Sequence, residues 1–171
     1  MVKIAILGLG ESLNLFNPSL FDLAIGVNDI WRYYESEVVV CLDHRRVFKP
    51  ERLMTIDSCK PQAFYSQIIN WDIRPDFKLI KLAPYYPIRT CNLDSEYINK
   101  SLCSPFVACG VAYKFYNADE IHVFGVDLIN HPHLDQNMCD RIKLHFRNLK
   151  FALAEKGKKI IVHGAGILKN I

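Results

Sequence analysis

Five short apolar runs, each closed by glycine or polar residues, constrain this chain more than any other feature. They cover residues 2–7, 23–27, 38–42, 121–126 and 159–162, and are dominated by Val, Ile and Leu without regular polar alternation. A strand that alternates has one wet face, whereas a strand that does not is buried on both, as in a parallel sheet covered by helices. Between the fourth and fifth runs, residues 138–156 place Ile142, Leu144, Phe146, Leu149, Phe151, Ala152 and Leu153 on a helical pattern, with Gly157 as the stop. Before the fourth run, Ser104 is expected to cap a helix over 104–116, with Pro105 at its first position and Phe106, Val107, Val111 and Phe115 as its apolar stripe. Strand, helix and strand joined by short turns is the grammar of right-handed crossovers. The expected fold is therefore α/β: a Rossmann-like, doubly wound, mostly parallel sheet of about 5–7 strands flanked by helices, in a single domain over residues 1–171. The middle of the chain is broken by prolines at 50, 61, 75, 84 and 87. One or two more strands are expected there, the best at 78–82, with a helix over 50–56.

Composition narrows the function classes. Aromatic residues make up 12% of the chain and charged residues 23%, which excludes disorder over most of its length. A chain of this size buries enough surface to fold without a disulfide or a metal. The formal charge is only +3, from 21 Lys and Arg against 18 Asp and Glu, and no window concentrates like charges. Nucleic acid is therefore not an expected partner. No apolar run has the length of a membrane span, and the run after Met1 lacks the form of a secretory leader. The six cysteines are scattered, with no Cys-x-x-Cys pair, so a reduced, cytoplasmic protein is expected, with Cys41 and Cys109 as buried small hydrophobes. His122, alternating with strand apolars, reads as a satisfied sheet histidine.

In an open parallel sheet, ligands bind outside the carboxyl ends of the strands. Polar residues gather at each such end: Gly8, Gly10, Glu11 and Ser12 after the first run, Asn28 and Asp29 after the second, Asp43, His44, Arg45 and Arg46 after the third, and Asp127, Asn130, His131 and His133 after the fourth. The Gly8-Leu9-Gly10-Glu11-Ser12 turn lets the backbone approach a ligand, and a helix starting after it would direct N–H groups at a phosphate. Leu13 stands where the dinucleotide fingerprint has its third glycine, which leaves NAD a minor option with Asp29 as its ribose acid. The stretch 127–135 holds two His and two Asp and is open to three readings: metal ligation, ligand contact or a solvated loop. The chain has no Gly-x-Ser-x-Gly elbow, no Gly-x-x-x-x-Gly-Lys-Ser/Thr loop and no His-Glu-x-x-His pair. Hydrolase and P-loop classes recede accordingly.

Three stretches together, Gly8-Leu9-Gly10-Glu11-Ser12-Leu13, Ile25-Gly26-Val27-Asn28-Asp29 and residues 118–128, resemble the superfamily that joins 6-hydroxymethylpterin pyrophosphokinase-like proteins with the bacterial family-42 sialyltransferases. Those proteins carry a Gly-x-Gly-Pro-Ser-Leu turn, an Asn ending the second strand, a Ser-Ser-Gly opening a helix and a Gly-x-Asp ending the next strand. The resemblance implies a nucleotide or nucleotide-sugar ligand, with Gly8, Gly10 and Ser12 around its phosphates and Asn28 against its ribose or base. It also makes Asp43 a polar strand-end residue, Ser104 the first Ser of the helix motif and Asp127 the Gly-x-Asp acid. The sequence departs from the pattern at Glu11, which replaces the proline with a negative charge to be offset by Arg45 or Arg46. Pro105 and Phe106 replace the second Ser and the Gly. The sialyltransferases add a lid with a catalytic His after the Gly-x-Asp strand. The helix and strand beyond Asp127 leave no room for a complete lid, so the chain resembles a minimal, lid-less member.

The leading expectation is a nucleotide- or nucleotide-sugar-binding transferase, moving a glycosyl or pyrophosphoryl group at the sheet's carboxyl edge. Asp127, His131 and His133 are its catalytic candidates, and Gly8, Gly10, Ser12, Asn28, Asp43 and Ser104 its binding candidates. A pyrophosphokinase would bring Mg²⁺, bound by Asp43 or Asp127 together with ligand phosphates. The competing expectation is a non-catalytic nucleotide, metabolite or protein-binding module of the kind that phages and mobile elements encode. A homo-oligomer is open under either reading, and Tyr85-Tyr86-Pro87 reads first as ordinary packing, with an acceptor site or a subunit contact as the other two readings.

Overall fold

The computed structural model describes residues 1–83, 91–129 and 134–171. Its strands are β1 (Lys3–Leu7), β2 (Leu23–Val27), β3 (Val38–Val40), β4 (Ala63–Ser66), β5 (Phe77–Leu79), β6 (Glu120–Phe124) and β7 (Lys159–Val162). They form one sheet in the order β5-β4-β3-β2-β1-β6-β7, and every pairing in it is parallel. The α-helices among the described residues are α1 (Pro50–Ser58), α2 (Ser104–Tyr116) and α3 (Gln136–Glu155). The expected doubly wound α/β fold is therefore present, with seven strands. None of the described helices is long and apolar enough to cross a membrane.

Winding explains the two faces. From β1 the chain steps outward through β2, β3 and β4 to β5, then returns to the centre and steps the other way through β6 to β7. Right-handed crossovers running in opposite directions must lie on opposite faces. Accordingly α2 and α3 cover one face, where Ile4, Ile6, Val107, Val111, Ile142, Phe146 and Leu149 pack together. The outward crossovers cover the other, where Ala5, Leu7, Ile30, Ile56, Phe64 and Trp71 pack. Ile4 to Leu7 are fully buried, as expected of a strand enclosed between two layers.

The second face is covered mainly by 3-10 turns, and this corrects one expectation. No α-helix follows the Gly8–Gly10 turn: Glu11–Leu15 is a five-residue 3-10 turn that ends at Phe16 in extended backbone. Asn17 and Pro18 then open a second short turn, with the Asn17 side chain accepting the Ser19 N–H at 3.1 Å. A helix N-terminus aimed at a phosphate is therefore not supplied by this crossover. Two further adjustments concern caps. Ser104 is already helical, and Cys103 holds the flanking position with no side-chain cap of its own. α3 begins earlier than its apolar stripe, because Asp135 Oδ1 accepts the Met138 N–H at 2.8 Å and so caps it. β4 and β5 match the one or two further strands expected in the middle of the chain; β4, too short to register as a pattern, had no position assigned to it, and β5 matches the 78–82 expectation only at its start.

Candidate functional site

The strand order reverses between β1 and β6, and a crevice forms at such a switch point beyond the carboxyl ends of the strands. Two turns build its floor. The parallel ladder continues past the strands, with Gly8 N–H donating to Phe124 O and Gly10 N–H to Gly125 O, both at 2.8 Å. This approach requires glycine on both sides: a Cβ on Gly8 or on Gly125 would run into the other's carbonyl, and Gly125 has φ of +67°. Ser12 and Asp127 lock the turns together. Ser12 N–H donates to Asp127 Oδ2 at 2.9 Å, and Ser12 Oγ accepts the Gly125 N–H at 2.8 Å. Both residues are buried.

The cleft above this floor has a volume of about 510 Å³. Gly8, Gly10, Asn28, Asp43, Ser104 and Asp127 all line it, so six of the nine candidates named from sequence converge on one place. Ser12 lies beneath it, its hydroxyl turned to the Gly125 amide. His131 and His133, with Asn130 and the Tyr85-Tyr86-Pro87 surface, lie outside the described residues. The apolar walls come from Val27, Leu102, Cys103, Val126, Leu128, Ile129, Leu134 and Ile142.

Asn28 is the most informative member. It occupies the left-handed region with φ of 54°, and its N–H donates to Val40 O at 3.1 Å. Its Oδ1 is buried without a hydrogen-bond partner. A buried acceptor left empty is costly and marks a site where a donor is wanted. Asp43 is fixed through its carbonyl, which accepts Trp71 Nε1–H at 3.0 Å, leaving its carboxylate at the cleft. Burial pushes the Asp43 carboxyl up from its ordinary value, opposed by the nearby Arg52.

Cations expected near Glu11 are placed elsewhere. Arg45 donates to both Asp57 oxygens, at 2.5 and 2.6 Å, and lies over the Trp71 ring. Neither Arg45 nor Arg46 lines the cleft. Among the described residues its charged lining is Glu11, Asp43 and Asp127, all acidic. Asp29, the ribose acid of the NAD option, is buried away from the cleft: Arg52 donates twice to its Oδ1, at 3.0 and 2.5 Å, and Arg32 approaches Oδ2 at 3.4 Å. Among the described residues no three His, Cys, Asp or Glu side chains are grouped to hold one metal ion. Asp43 and Asp127 at a shared cleft would suit only a cation that keeps most of its ligands from water and phosphate, as Mg²⁺ does.

Sequence reasoning missed two supports of the site. Ser101 Oγ lies 2.8 Å from His145 Nδ1 of α3 and accepts the Cys103 N–H at 3.3 Å, which fixes the segment leading into α2. Burial, with Arg141, lowers the His145 pKa. The segment after β7 also braces the floor: Ile167 N–H donates to Asp127 O at 3.1 Å, and a Cβ on Gly164 would lie 2.5 Å from Ser12 Cβ. Gly164 and Gly166, two glycines just past the last apolar run, were the available signal.

No family model and no curated protein matches this chain. Among solved structures, the X-ray structure of a point mutant of the α-2,3/8-sialyltransferase CstII is similar to it, with a TM-score of 0.55 over 94% of this chain and 80% of that one. The two are 15% identical, so the likeness is one of fold, a distant relationship within the Rossmann-like α/β architecture.

Proposed function

We propose that the cleft binds a nucleotide or nucleotide sugar and that the protein is a glycosyltransferase-like transferase. The observation that carries this reading is the buried, unpartnered Asn28 Oδ1 at the cleft, held there by a left-handed backbone. An acceptor in that position recognises an N–H or O–H donor, which a nucleobase or ribose supplies. Gly8 and Gly10 border the cleft with their N–H groups already donated to Phe124 O and Gly125 O, and Ser104 brings a hydroxyl and the first turn of α2 to the same wall. Glycosyl transfer is preferred to pyrophosphoryl transfer because the charged lining is acidic, a poor setting for a diphosphate or triphosphate without a cation. The structural neighbour's sialyltransferase activity agrees with that preference.

In this reading Gly8, Gly10, Asn28, Asp43 and Ser104 bind and orient the ligand, so that catalysis rests largely on positioning. Ser12 and Asp127 hold the two turns at the distance the ligand needs. Asp127 Oδ2 already accepts the Ser12 N–H, so the general base is assigned to His131 or His133, imidazole being a side chain suited to proton transfer.

A second reading, a binding module without turnover, is favoured by one observation: the Asp127 carboxylate is engaged in holding the floor. A thermal-shift screen against CMP, CDP, UDP, GDP, ATP, NAD, CMP-sialic acid and a pterin, with and without Mg²⁺, tests the proposal. Stabilisation by one nucleotide class, lost in Asn28→Ala, supports it. No shift with any compound overturns it, and a shift without release of product from a sugar donor selects the binding module.

A further inference from the structure

On the second face of the sheet, away from α2 and α3, two histidines are joined ring to ring. His122 Nδ1 of β6 lies 3.0 Å from His163 Nε2, and the ring planes are 17° apart. His163 is the first residue after β7. Its N–H donates to Val123 O at 2.9 Å, and its ring lies flat on Phe124, 4.1 Å between centroids. From there the chain runs directly under the cleft. Gly164 packs on Ser12 and Asp127, Gly166 on the Asp127 backbone, Ile167 N–H on Asp127 O, and Leu168 is fully buried. Residues 163–168 thus form a strap whose first contact is the histidine pair and whose remaining contacts hold the floor of the site.

We propose that His122 and His163 form an acid-released latch that fixes this strap against Ser12 and Asp127. The proton count gives the mechanism. With both rings neutral, one N–H lies between Nδ1 and Nε2 and the bond is made. A first added proton goes to an outer nitrogen and leaves that bond intact. A second places N–H against N–H, so the rings repel and the bond is lost. The groups that face the pair are few. Glu120 Oε2 is 3.5 Å from His122 Nε2 and accommodates the first proton. Glu120 is itself shared with Lys3 of β1 and Lys159 of β7, each at 3.6 Å, which weakens its hold on a second. Phe21, 5.0 Å from the His122 ring, contributes no charge. Burial lowers the pKa of both imidazoles, and His122 lowers that of His163 further.

Release of the latch loosens the two bonds that Ser12 makes between the turns after β1 and β6. Acid therefore opens the floor of the cleft through the strap, and the opening does not require a group lining the cleft to take up a proton. This inference is independent of which ligand the cleft takes.

Amide hydrogen exchange of the whole chain, corrected for the intrinsic rate, tests it between about pH 7.5 and about pH 4, a range that takes in the second protonation. Protection at Ser12, Gly125 and Ile167 is expected to fall about tenfold or more relative to the amides in the middle of α2, and the fall is expected to shrink below about twofold in His122→Gln. Flat protection in the unsubstituted protein, or an unchanged fall in His122→Gln, overturns the proposal. If His122→Gln does not fold, His163→Gln takes its place with the same two outcomes. Imidazole ¹⁵N titration of the unsubstituted protein gives a check that needs no variant. The two rings are expected to titrate in coupled steps more than about 1 pH unit apart, and independent titration refutes the latch.

Discussion

Asn28→Gly separates what this residue does for binding from what it does to stability. At φ of 54° an ordinary L-residue is strained by about 1 kcal/mol, asparagine by less, and glycine by nothing. The empty Oδ1 adds a penalty of about 1–3 kcal/mol for an acceptor taken out of water and left unpaired. Glycine removes both terms and loses about 0.5–1 kcal/mol to the greater freedom of the unfolded chain. The balance is a gain of about 1 kcal/mol, or about 2–4 °C in Tm for a chain of this size. Asn28→Ala removes the acceptor and keeps the strain but escapes the glycine entropy loss, and is expected within about 0.5 kcal/mol of the glycine variant. Both variants lose the ligand's hydrogen bond, a loss of about fivefold to tenfold in affinity. Urea unfolding and titration calorimetry with the ligand found by screening measure the two quantities. A glycine variant less stable than the parent by more than about 1 kcal/mol would refute the claim that Oδ1 is an empty acceptor. Unchanged affinity would remove Asn28 from the site.

Four further outcomes follow from the geometry. Gly164→Ala, at φ of +103° and with its Cβ set 2.7 Å from Asp127 Oδ1, is expected to lose about 2–4 kcal/mol, read from the urea midpoint; an unmoved midpoint contradicts the close packing of the strap. Arg52→Ala leaves Asp29 buried with only Arg32 at 3.4 Å, and is expected to lose about 2 kcal/mol, the low end because Arg52 is partly exposed; an equal loss in Asp29→Asn, which carries no charge, would contradict the charge argument. Burial pushes the Cys103 thiol up to about 12 and raises those of Cys41 and Cys109, so none should react with a thiol reagent at neutral pH before unfolding; rapid labelling of any of them in the native state would argue against this core. Because His122, His145 and His163 have lowered pKa values, the unfolded chain takes up protons first as pH falls below about 6.5, and unfolding free energy should fall with it; a flat profile from about pH 7.5 to about 5 would oppose that sign.

Much of the sheet was legible because burial on both faces writes itself as unbroken apolar runs. The runs 23–27 and 159–162 match β2 and β7 residue for residue. The third run reads two residues too long, since Cys41 and Leu42 are as apolar as a strand but lie beyond the last paired residue. The outward crossovers were not legible. A 3-10 turn of three to five residues has no periodicity to detect, and aromatic side chains such as Phe16, Phe21 and Trp71 do the covering that a helix stripe would otherwise announce. For the site, the strand-end rule brought six candidates to one cleft, whereas the partner of each group was invisible. Nothing local to Ser12 announces Asp127, and nothing local to Arg45 announces Asp57, because both pairings are set by tertiary packing.

The position of β1 has a consequence for how the chain is made. It is synthesised before both of its neighbours, yet it lies inside the sheet, between β2 and β6. β2 follows it at once, but roughly 90 residues separate β2 from β6, about 5–20 seconds of synthesis at ordinary rates. During that interval the Lys3–Leu7 backbone presents an unpaired, apolar edge of the kind that recruits other strands. The nascent protein is thus most prone to aggregate while it is being translated, and slowing elongation between β2 and β6 should lower its soluble yield more than slowing it after β7.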